Sequence, residues 1–394
     1  MTTLKVLFWA SLFIVCYSYI GYGVLLYLLV GIRRLFGKKK FVPSPGFSPD
    51  VTIVISAFNE EEFIEKKIQN TFDLDYESDR LSIIIVTDGS TDATPDIVRR
   101  FNRIRLLHEP ERRGKVAAMN RAKKFVQTDL IIFSDANTLL NRACVREIIK
   151  HYQDPRVGGV AGEKKIISGT DGSAAEAGEG LYWKYESFLK KMDAEFYSVV
   201  GAAGELFSAR KSLFEEIPEN VIIEDFVQSL KICTKGYRIM YEPNAYAMET
   251  SSASMKEEEK RKVRISAGAF QAMALLKELF NIFRYPVLSF QFISHRILRW
   301  TLCPLCLIML FLSNGLIVLK GGNIIYMVFF GLQLAFYIMA LTGRALANRN
   351  IRVKWLYVPY YFLFMNASVI LGFFRFLRKK QTVTWEKAAR RKLA

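Results

Sequence analysis

Val51-Thr52-Ile53-Val54-Ile55-Ser56-Ala57, followed at once by Phe58-Asn59-Glu60, is the stretch on which the fold of this chain turns. An apolar run of that length, closing on polar residues, has the pattern of a strand buried on both faces. Two more such runs follow, Leu81–Thr87 and Leu130–Ser134. Between and after them, residues 60–72, 92–102 and 114–126 have the length and spacing of helices. This β-α-β-α order predicts an α/β domain with a largely parallel sheet and helices on both faces. Ligands of such sheets bind beyond the carboxyl ends of the strands, which is where the short polar motifs of this sequence stand.

The first motif is Ala57-Phe58-Asn59-Glu60 and the second is Asp88-Gly89-Ser90-Thr91-Asp92. A carboxylate at a strand end, with glycine and small polar residues behind it, suits a nucleobase and ribose edge. The second motif reads equally well as a turn with a helix N-cap at Thr91 or Asp92. The third is Ser134-Asp135-Ala136-Asn137. A divalent cation held between protein and a diphosphate needs hard oxygen ligands on one short turn. Asp135 and Asn137, two apart on extended backbone, can face the same side. Further along, Gly201-Ala202-Ala203-Gly204-Glu205 reads as a small-residue turn, either against an acceptor channel or simply leading into a strand over Leu206–Ala209. A helix is expected over 225–234, with Asp225 in its first turn, where a carboxylate is also stabilised by the helix dipole. Tyr182, Trp183 and Tyr185 would make a sugar-stacking platform, although aromatic side chains at helical spacing more often belong to a core.

Outside the central domain the composition changes. Of the 394 residues 24% are charged, yet mean hydropathy is slightly positive, because residues 5–32 and 301–376 are dominated by apolar side chains. Val6–Ile32 carries no charge and is long enough to span a bilayer as a tilted helix. Its length and the lack of a small-residue cleavage site favour a retained anchor over a signal peptide. Arg33, Arg34, Lys38, Lys39 and Lys40 follow it, which places the central domain in the cytoplasm and the N-terminus outside. The net charge of +17 resides in segments 33–40, 256–264, 344–354 and 375–392, beside the apolar blocks where anionic headgroups lie. That distribution excludes nucleic acid as the partner. The five cysteines form no disulfide pattern, and Cys303-Pro304-Leu305-Cys306 reads as buried apolar cysteine rather than a metal pair. Residues 256–283 predict an amphipathic helix at the membrane surface. Blocks 301–319 and 323–343 predict a helical hairpin turning at Gly321-Gly322-Asn323. Block 355–376 contains Pro359 and Asn366, and both of its flanks are basic, so it is expected to be re-entrant or interfacial.

Taken in order, these motifs, together with Gly114-Lys115-Val116-Ala117-Ala118-Met119-Asn120, resemble the GT-A domain of processive family 2 glycosyltransferases, the group of cellulose, chitin and hyaluronan synthases. The resemblance runs from about residue 51 to 265. It implies a nucleotide-sugar donor, usually UDP-linked, a Mg²⁺ or Mn²⁺ ion, and inversion at the anomeric carbon. It also implies that Ala57, Asn59, Glu60, Asp88, Lys115 and Asp135 bind the donor, with Asp88 at the base and Lys115 near the nucleotide. Asp135 binds the metal, and Asn137 takes the place of a second acidic ligand. Ile223-Glu224-Asp225-Phe226 resembles the family's TED motif, whose Asp is the general base. Arg261-Lys262-Val263-Arg264-Ile265 stands where the family has QxxRW, and only Arg264 matches. Gly201, Glu224, Arg261 and Arg264 are thus expected at the acceptor gate.

The expected organisation is an anchor over 1–33, a basic linker over 34–50 and a Rossmann-like GT-A domain over 51–255. Amphipathic or interfacial helices over 256–300, a transmembrane region over 301–376 and a basic tail over 377–394 complete it. The expected protein is a multi-pass inner (plasma) membrane enzyme, a hexosyl- or N-acetylhexosaminyltransferase extending a polysaccharide from the cytoplasmic face. Translocation needs a protein-lined path, because hydroxyls go unpaired in hydrocarbon. A second copy of the chain is one way to complete its wall. The rivals are a single transfer to a lipid-linked acceptor and a silent nucleotide-binding scaffold, against which the retained Asp135 and Asp225 argue.

Overall fold

The computed structural model describes residues 1–37, 44, 46–167, 174–250, 254–348 and 353–379. The expected basic run Lys38–Lys40 and the tail beyond Lys379 lie outside them. Strands β1 (Val51–Ala57), β2 (Leu81–Asp88), β3 (Ile104–Glu109) and β4 (Leu130–Asp135) pair in parallel in the order β3-β2-β1-β4. Their apolar runs are continuous because alternate residues enter different cores. Val54, Ile84, Ile131 and Phe133 join one cluster, and Ile53, Ile55, Ile85 and Ile132 join the other.

The sheet is mixed rather than largely parallel. Beyond β4 it continues through β7 (Leu206–Arg210), β6 (Val157–Ile167), β8 (Arg238–Thr250) and β5 (Leu139–Leu140), with antiparallel pairing at β4–β7, β7–β6 and β8–β5. The pattern hid β6 and β8, because Gly158, Gly159, Gly162 and several charges interrupt them.

Among the described residues, four helices are long and apolar enough to cross a membrane. The first, α1 (Thr2–Leu35), is continuous through a π-helical turn at Tyr17–Gly21. The soluble helices are α2 (Ile64–Phe72), α3 (Thr94–Arg99), α4 (Lys115–Phe125), α5 (Cys144–Ile149), α6 (Ala174–Phe196) and α7 (Glu224–Thr234). Next come α8 (Met255–Leu275) and α9, which runs from Pro286–Phe292 through a second π turn, Ile293–Ile297, to Leu298–Trp300. The apolar helices α10 (Leu302–Leu319), α11 (Ile324–Asn348) and α12 (Lys354–Leu377) end the described chain.

The expectations for these segments are partly corrected. α8 stops at Leu275, short of 283, and its charged half is divided, with Lys256, Glu259 and Lys260 exposed and two charges turned inward. Glu258 and Lys262 are buried, because α8 lies along α12, where Gly372 meets Ser266 and Phe270 packs on Phe373. Likewise, α12 is one uninterrupted helix and not a re-entrant loop. Pro359 stands in its second turn, where it removes one backbone hydrogen bond without ending the helix. Asn366 donates to the Phe362 carbonyl and accepts from the Tyr19 hydroxyl, so it needs no break in the chain. Asn314 and Gln333 pair across the α10–α11 hairpin as helix–helix glue. All five cysteines are free, and Cys303 and Cys306 are buried in α10.

A lysine in the core holds the third motif in place. Lys67 on α2 is fully buried, and its Nζ donates to the Ser134 Oγ at 2.7 Å and the Thr138 carbonyl at 3.0 Å, bracketing Asp135. Burial pushes its ammonium down from 10.5 to about 7. Between those two values the unfolded chain binds a proton that the folded chain does not, so stability rises with pH over that interval. Replacing Lys67 by Met should flatten the rise of Tm between about pH 7 and 10, as followed by calorimetry of detergent-purified protein. An unchanged slope would show that Lys67 stays charged. A second expectation follows from the seating of α12 along α8. A single cysteine placed after Leu377, in a background lacking the native five, should resist a membrane-impermeant maleimide in intact cells. Labelling there would put the C-terminal flank outside.

Candidate active site

The ends of β1 and β4, the start of α4, the loop before β7, the start of α7 and one face of α8 surround a cavity of about 1390 Å³. Its wall contains Glu60, Lys115, Asp135, Asn137, Gly201, Glu224, Asp225, Arg261 and Arg264, so residues up to 204 positions apart converge there. Ala57, Asn59 and Asp88 are not in that wall; they support it.

Asn59 adopts a left-handed conformation with φ of 51°, which asparagine tolerates better than most residues. It donates its N–H to the Ser90 Oγ and accepts from the Thr91 N–H at 2.9 Å. The Glu60 N–H donates to Thr94 at 2.8 Å. The first two motifs are therefore stapled to each other. Asp88 spends both carboxylate oxygens on backbone N–H groups of Arg113 and Gly114, at 3.1 and 2.6 Å. Those bonds fix the turn from which Lys115 opens α4. The Arg112 guanidinium lies over the Phe58 ring at 3.5 Å and closes this side.

Lys115 is the centre of charge. Its Nζ lies 2.6 Å from Asp135 and 2.9 Å from Glu224. Burial works against its ammonium, but Asp135, then Glu224 and Asp225, hold its pKa well above the ordinary lysine range. Burial pushes Asp135 up, and Lys115 opposes the shift. Asp225 is pushed above the usual carboxylate range first by burial and then by Glu224, with Lys115 again opposing. Burial also lowers Arg264, with Glu224 as its stabilising counter-charge. Arg261 grips Glu258 through two N–H groups, at 3.0 and 3.1 Å.

The small-residue turn is a close fit around this centre. A Cβ on Gly201, at φ of +88°, would collide with the Phe226 ring, and one on Gly204 would reach the Lys115 Nζ at 2.9 Å. Glu205 is held well below the usual carboxylate range: burial alone would raise it, and the Lys164 ammonium at 2.6 Å outweighs that.

For a metal, the turn offers the Asp135 carboxylate and the Asn137 amide oxygen. Among the described residues no three His, Cys, Asp or Glu side chains cluster as a metal cage. That donor set does fit a hard cation that completes its shell with substrate phosphate oxygens and water.

The cavity also has a membrane-side arm, whose α9 wall sequence reasoning missed. It is walled by Tyr19 of α1, by Tyr182, Trp183, Glu186 and Lys190 of α6, by Arg296 and Arg299 of α9, and by Tyr361 and Asn366 of α12. Tyr182 and Trp183 line it and are not closed off in a core. Glu186 pairs with His295 at 3.3 Å, Arg296 at 2.5 Å and Arg299 at 3.5 Å. The one available signal was the basic run His295-Arg296…Arg299 directly before an apolar block.

The family described as Glycosyl transferase family 2 matches residues 52–218. The poly-beta-1,6-N-acetyl-D-glucosamine synthase of Staphylococcus aureus (strain COL) is 26% identical over 288 residues, 68% of this chain and 68% of its own. The probable glycosyltransferase YdaM of Bacillus subtilis (strain 168) is 25% identical over 253 residues, 60% of this chain and 59% of its own. Among solved structures, mannosyltransferase PcManGT from Pyrobaculum calidifontis, in complex with GDP-Man and Mn²⁺, superposes with a TM-score of 0.70 at 23% identity. That match covers 96% of this chain and 99% of the other, and at such identity it is a likeness of fold. With the motifs gathered around one cavity, residues 52–218 match the family 2 glycosyltransferases, and this GT-A domain is joined to helices of membrane-spanning length.

Proposed function

We propose that this chain transfers a sugar, with inversion, from a nucleotide diphosphate donor, UDP-linked in the first instance, to a growing polysaccharide at the cytoplasmic face of the plasma membrane. One observation carries the reading: a single cavity joins Lys115, Asp135 and Asp225 to the aromatic and polar side chains of α1, α6 and α12. Donor chemistry at one end and a path toward the spans at the other are what extension of a chain at a membrane requires. The named activity of the S. aureus relative, synthesis of an N-acetylglucosamine polymer, supports the same class of product. It also makes an N-acetylhexosaminyl donor the first to try.

In this mechanism Lys115 exchanges its carboxylate partners for the donor diphosphate, and Arg264 adds a second cation. Asp135, with Asn137 beside it, would hold Mg²⁺ or Mn²⁺, which neutralises charge on the leaving diphosphate. Asp225 accepts the proton of the acceptor hydroxyl as that oxygen bonds to the anomeric carbon and the bond from that carbon to the diphosphate oxygen breaks. A base whose pKa lies above the ordinary aspartate range is better matched to cytoplasmic pH. Burial, with Glu224 second, keeps it there, and Glu224 also pairs with Lys115. Asp88 acts through the loop it holds, setting where Lys115 begins α4.

A second reading, one transfer to a lipid-linked acceptor, draws on an apolar groove beside the cavity. Gly23, Val24, Tyr27 and Phe188 line it, and it shares Tyr19, Ile20 and Tyr185 with the cavity.

Purified enzyme in nanodiscs, screened against nucleotide sugars with Mg²⁺ or Mn²⁺, should give nucleotide release and a size-distributed polymer. A product of one sugar on a lipid would establish the second reading, and no turnover with any donor would refute both. In that assay Asp225→Asn should lose about 10²–10⁴-fold in kcat. Its metal-dependent UDP affinity should stay near wild type, since a base acts on the acceptor. Asp135→Ala should instead weaken that affinity by about tenfold or more, read by calorimetry. Unchanged UDP binding would remove Asp135 from the metal site.

A further inference from the structure

Arg296 of α9 touches two parts of the molecule that the chain keeps far apart. It lies in the π turn Ile293–Ile297, shortly before the apolar helix α10. On one side its guanidinium pairs with Glu186 of α6 at 2.5 Å, beside the buried His295. On the other its Nε donates to the Val200 carbonyl at 3.1 Å. Val200 is fully buried and leads into the turn Gly201–Glu205, which lines the catalytic cavity. π turns recur at functional sites, and this one aims its arginine at the backbone of that turn.

The turn is held from two directions. From α7, the Ser229 Oγ accepts from the Ala202 N–H at 3.0 Å and donates to the Phe226 carbonyl at 2.9 Å. From α9, Arg296 holds the carbonyl of Val200. Between these supports Gly201 passes so close to the Phe226 ring that a Cβ there would stand 2.0 Å from it. Gly204 carries the turn to the base, where a Cβ would lie 3.3 Å from the Asp225 Oδ2. α9 meets the same Phe226 ring through Trp300 at 5.2 Å and Phe292 at 6.4 Å, and the Arg296 guanidinium lies 6.0 Å from its centre. Since Phe226 follows Asp225 in the chain, the turn, the ring and the base carboxylate pack as one unit against α9. Removing the Arg296 donor strips this hydrogen bond from a buried carbonyl, which costs more than the bond itself contributes and gives the turn reason to move.

We propose that Arg296 is a positioning residue for the base Asp225: by holding the Val200 carbonyl it seats the Gly201–Gly204 turn on Phe226, and so ties the placement of α9 and α10 to the geometry of the catalytic centre. This rests on the transferase reading given above and adds a residue that lies outside every motif on which that reading draws. Lys115 is fixed independently, by Asp135 and Glu224. Loss of the Val200 bond should therefore lower turnover and leave grip on the nucleotide alone.

Two substitutions of equal length isolate the bond. Glutamine places an N–H donor where the arginine has its Nε, methionine places a methyl group there, and both lose the pair with Glu186 alike. The full chain is assayed in nanodiscs by nucleotide release, with the donor and acceptor found active by screening. UDP affinity is read by calorimetry, and folding is checked by the thermal transition. Arg296→Met should have a kcat about tenfold below that of Arg296→Gln. Donor KM and metal-dependent UDP affinity should agree between the two within about twofold. Equal kcat in the two variants would show that the Val200 bond is idle and overturn the proposal. A loss of UDP affinity confined to Arg296→Met would mark a general collapse of the site and overturn it too. Failure of either variant to fold would assign the bond to folding alone, with the same consequence. Wild-type protein that turns over no donor overturns the transferase reading itself, and this role with it.

Discussion

Three carboxylates, Asp135, Glu224 and Asp225, crowd around one ammonium, that of Lys115. Without that cation the group could not be buried, because unpaired carboxylates lose far more in hydration than packing returns. The parts of the domain answer to this requirement. Asp88 anchors the turn that sets Lys115 at the first position of α4, β4 delivers Asp135, and α7 begins at Glu224. Gly201 and Gly204 let the intervening turn pass close enough to seal the centre. A site built around a buried, over-determined cation is preorganised for a multiply charged ligand, since its dipoles and charges are paid for during folding and not at binding.

The same economy of buried charge joins the catalytic domain to the spans. Asp193 accepts from the Tyr22 hydroxyl of α1 and from Gln291 at 3.0 Å, and lies 2.6 Å from His295. Glu186, about two turns earlier on the same face of α6, takes Arg296 and Arg299. The Arg299 Nε also donates to the Ser18 carbonyl, inside the π turn of α1, and the Tyr17 hydroxyl meets Ser294 in the π turn of α9. π turns leave backbone groups irregularly placed, and here the Arg299 side chain meets one of them in α1. The membrane-side arm of the cavity thus has walls fixed by ionic and hydrogen-bonded contacts. Breaking one partner of such a buried network costs about 3–5 kcal/mol, which is a large share of a domain's stability.

Local sequence pattern revealed the strands that carry the site, because β1, β2 and β4 are buried on both faces and their polar ends stand out against apolar runs. It also located α7 and the hairpin of α10 and α11. It failed for β6, whose glycines are met closely by neighbouring residues, and for β8, whose pattern is broken at Glu242-Pro243-Asn244; Lys164 and Glu249 are buried there as a pair. It failed for the inward turn of the α8 charges, since helical periodicity alone does not say which partner a face will meet.

From the sequence alone came the α/β class, the apolar blocks and the choice of Asp88, Lys115, Asp135 and Asp225 as candidate site residues, because motif and period are local properties. Tertiary structure decided the rest. Asp88 turned out to brace a loop from outside the cavity wall, Lys115 to bridge two acids, and Trp183 to stand in a wall shared with α12. Those facts depend on side chains brought together from distant parts of the chain, whose spacing in space no one-dimensional pattern encodes.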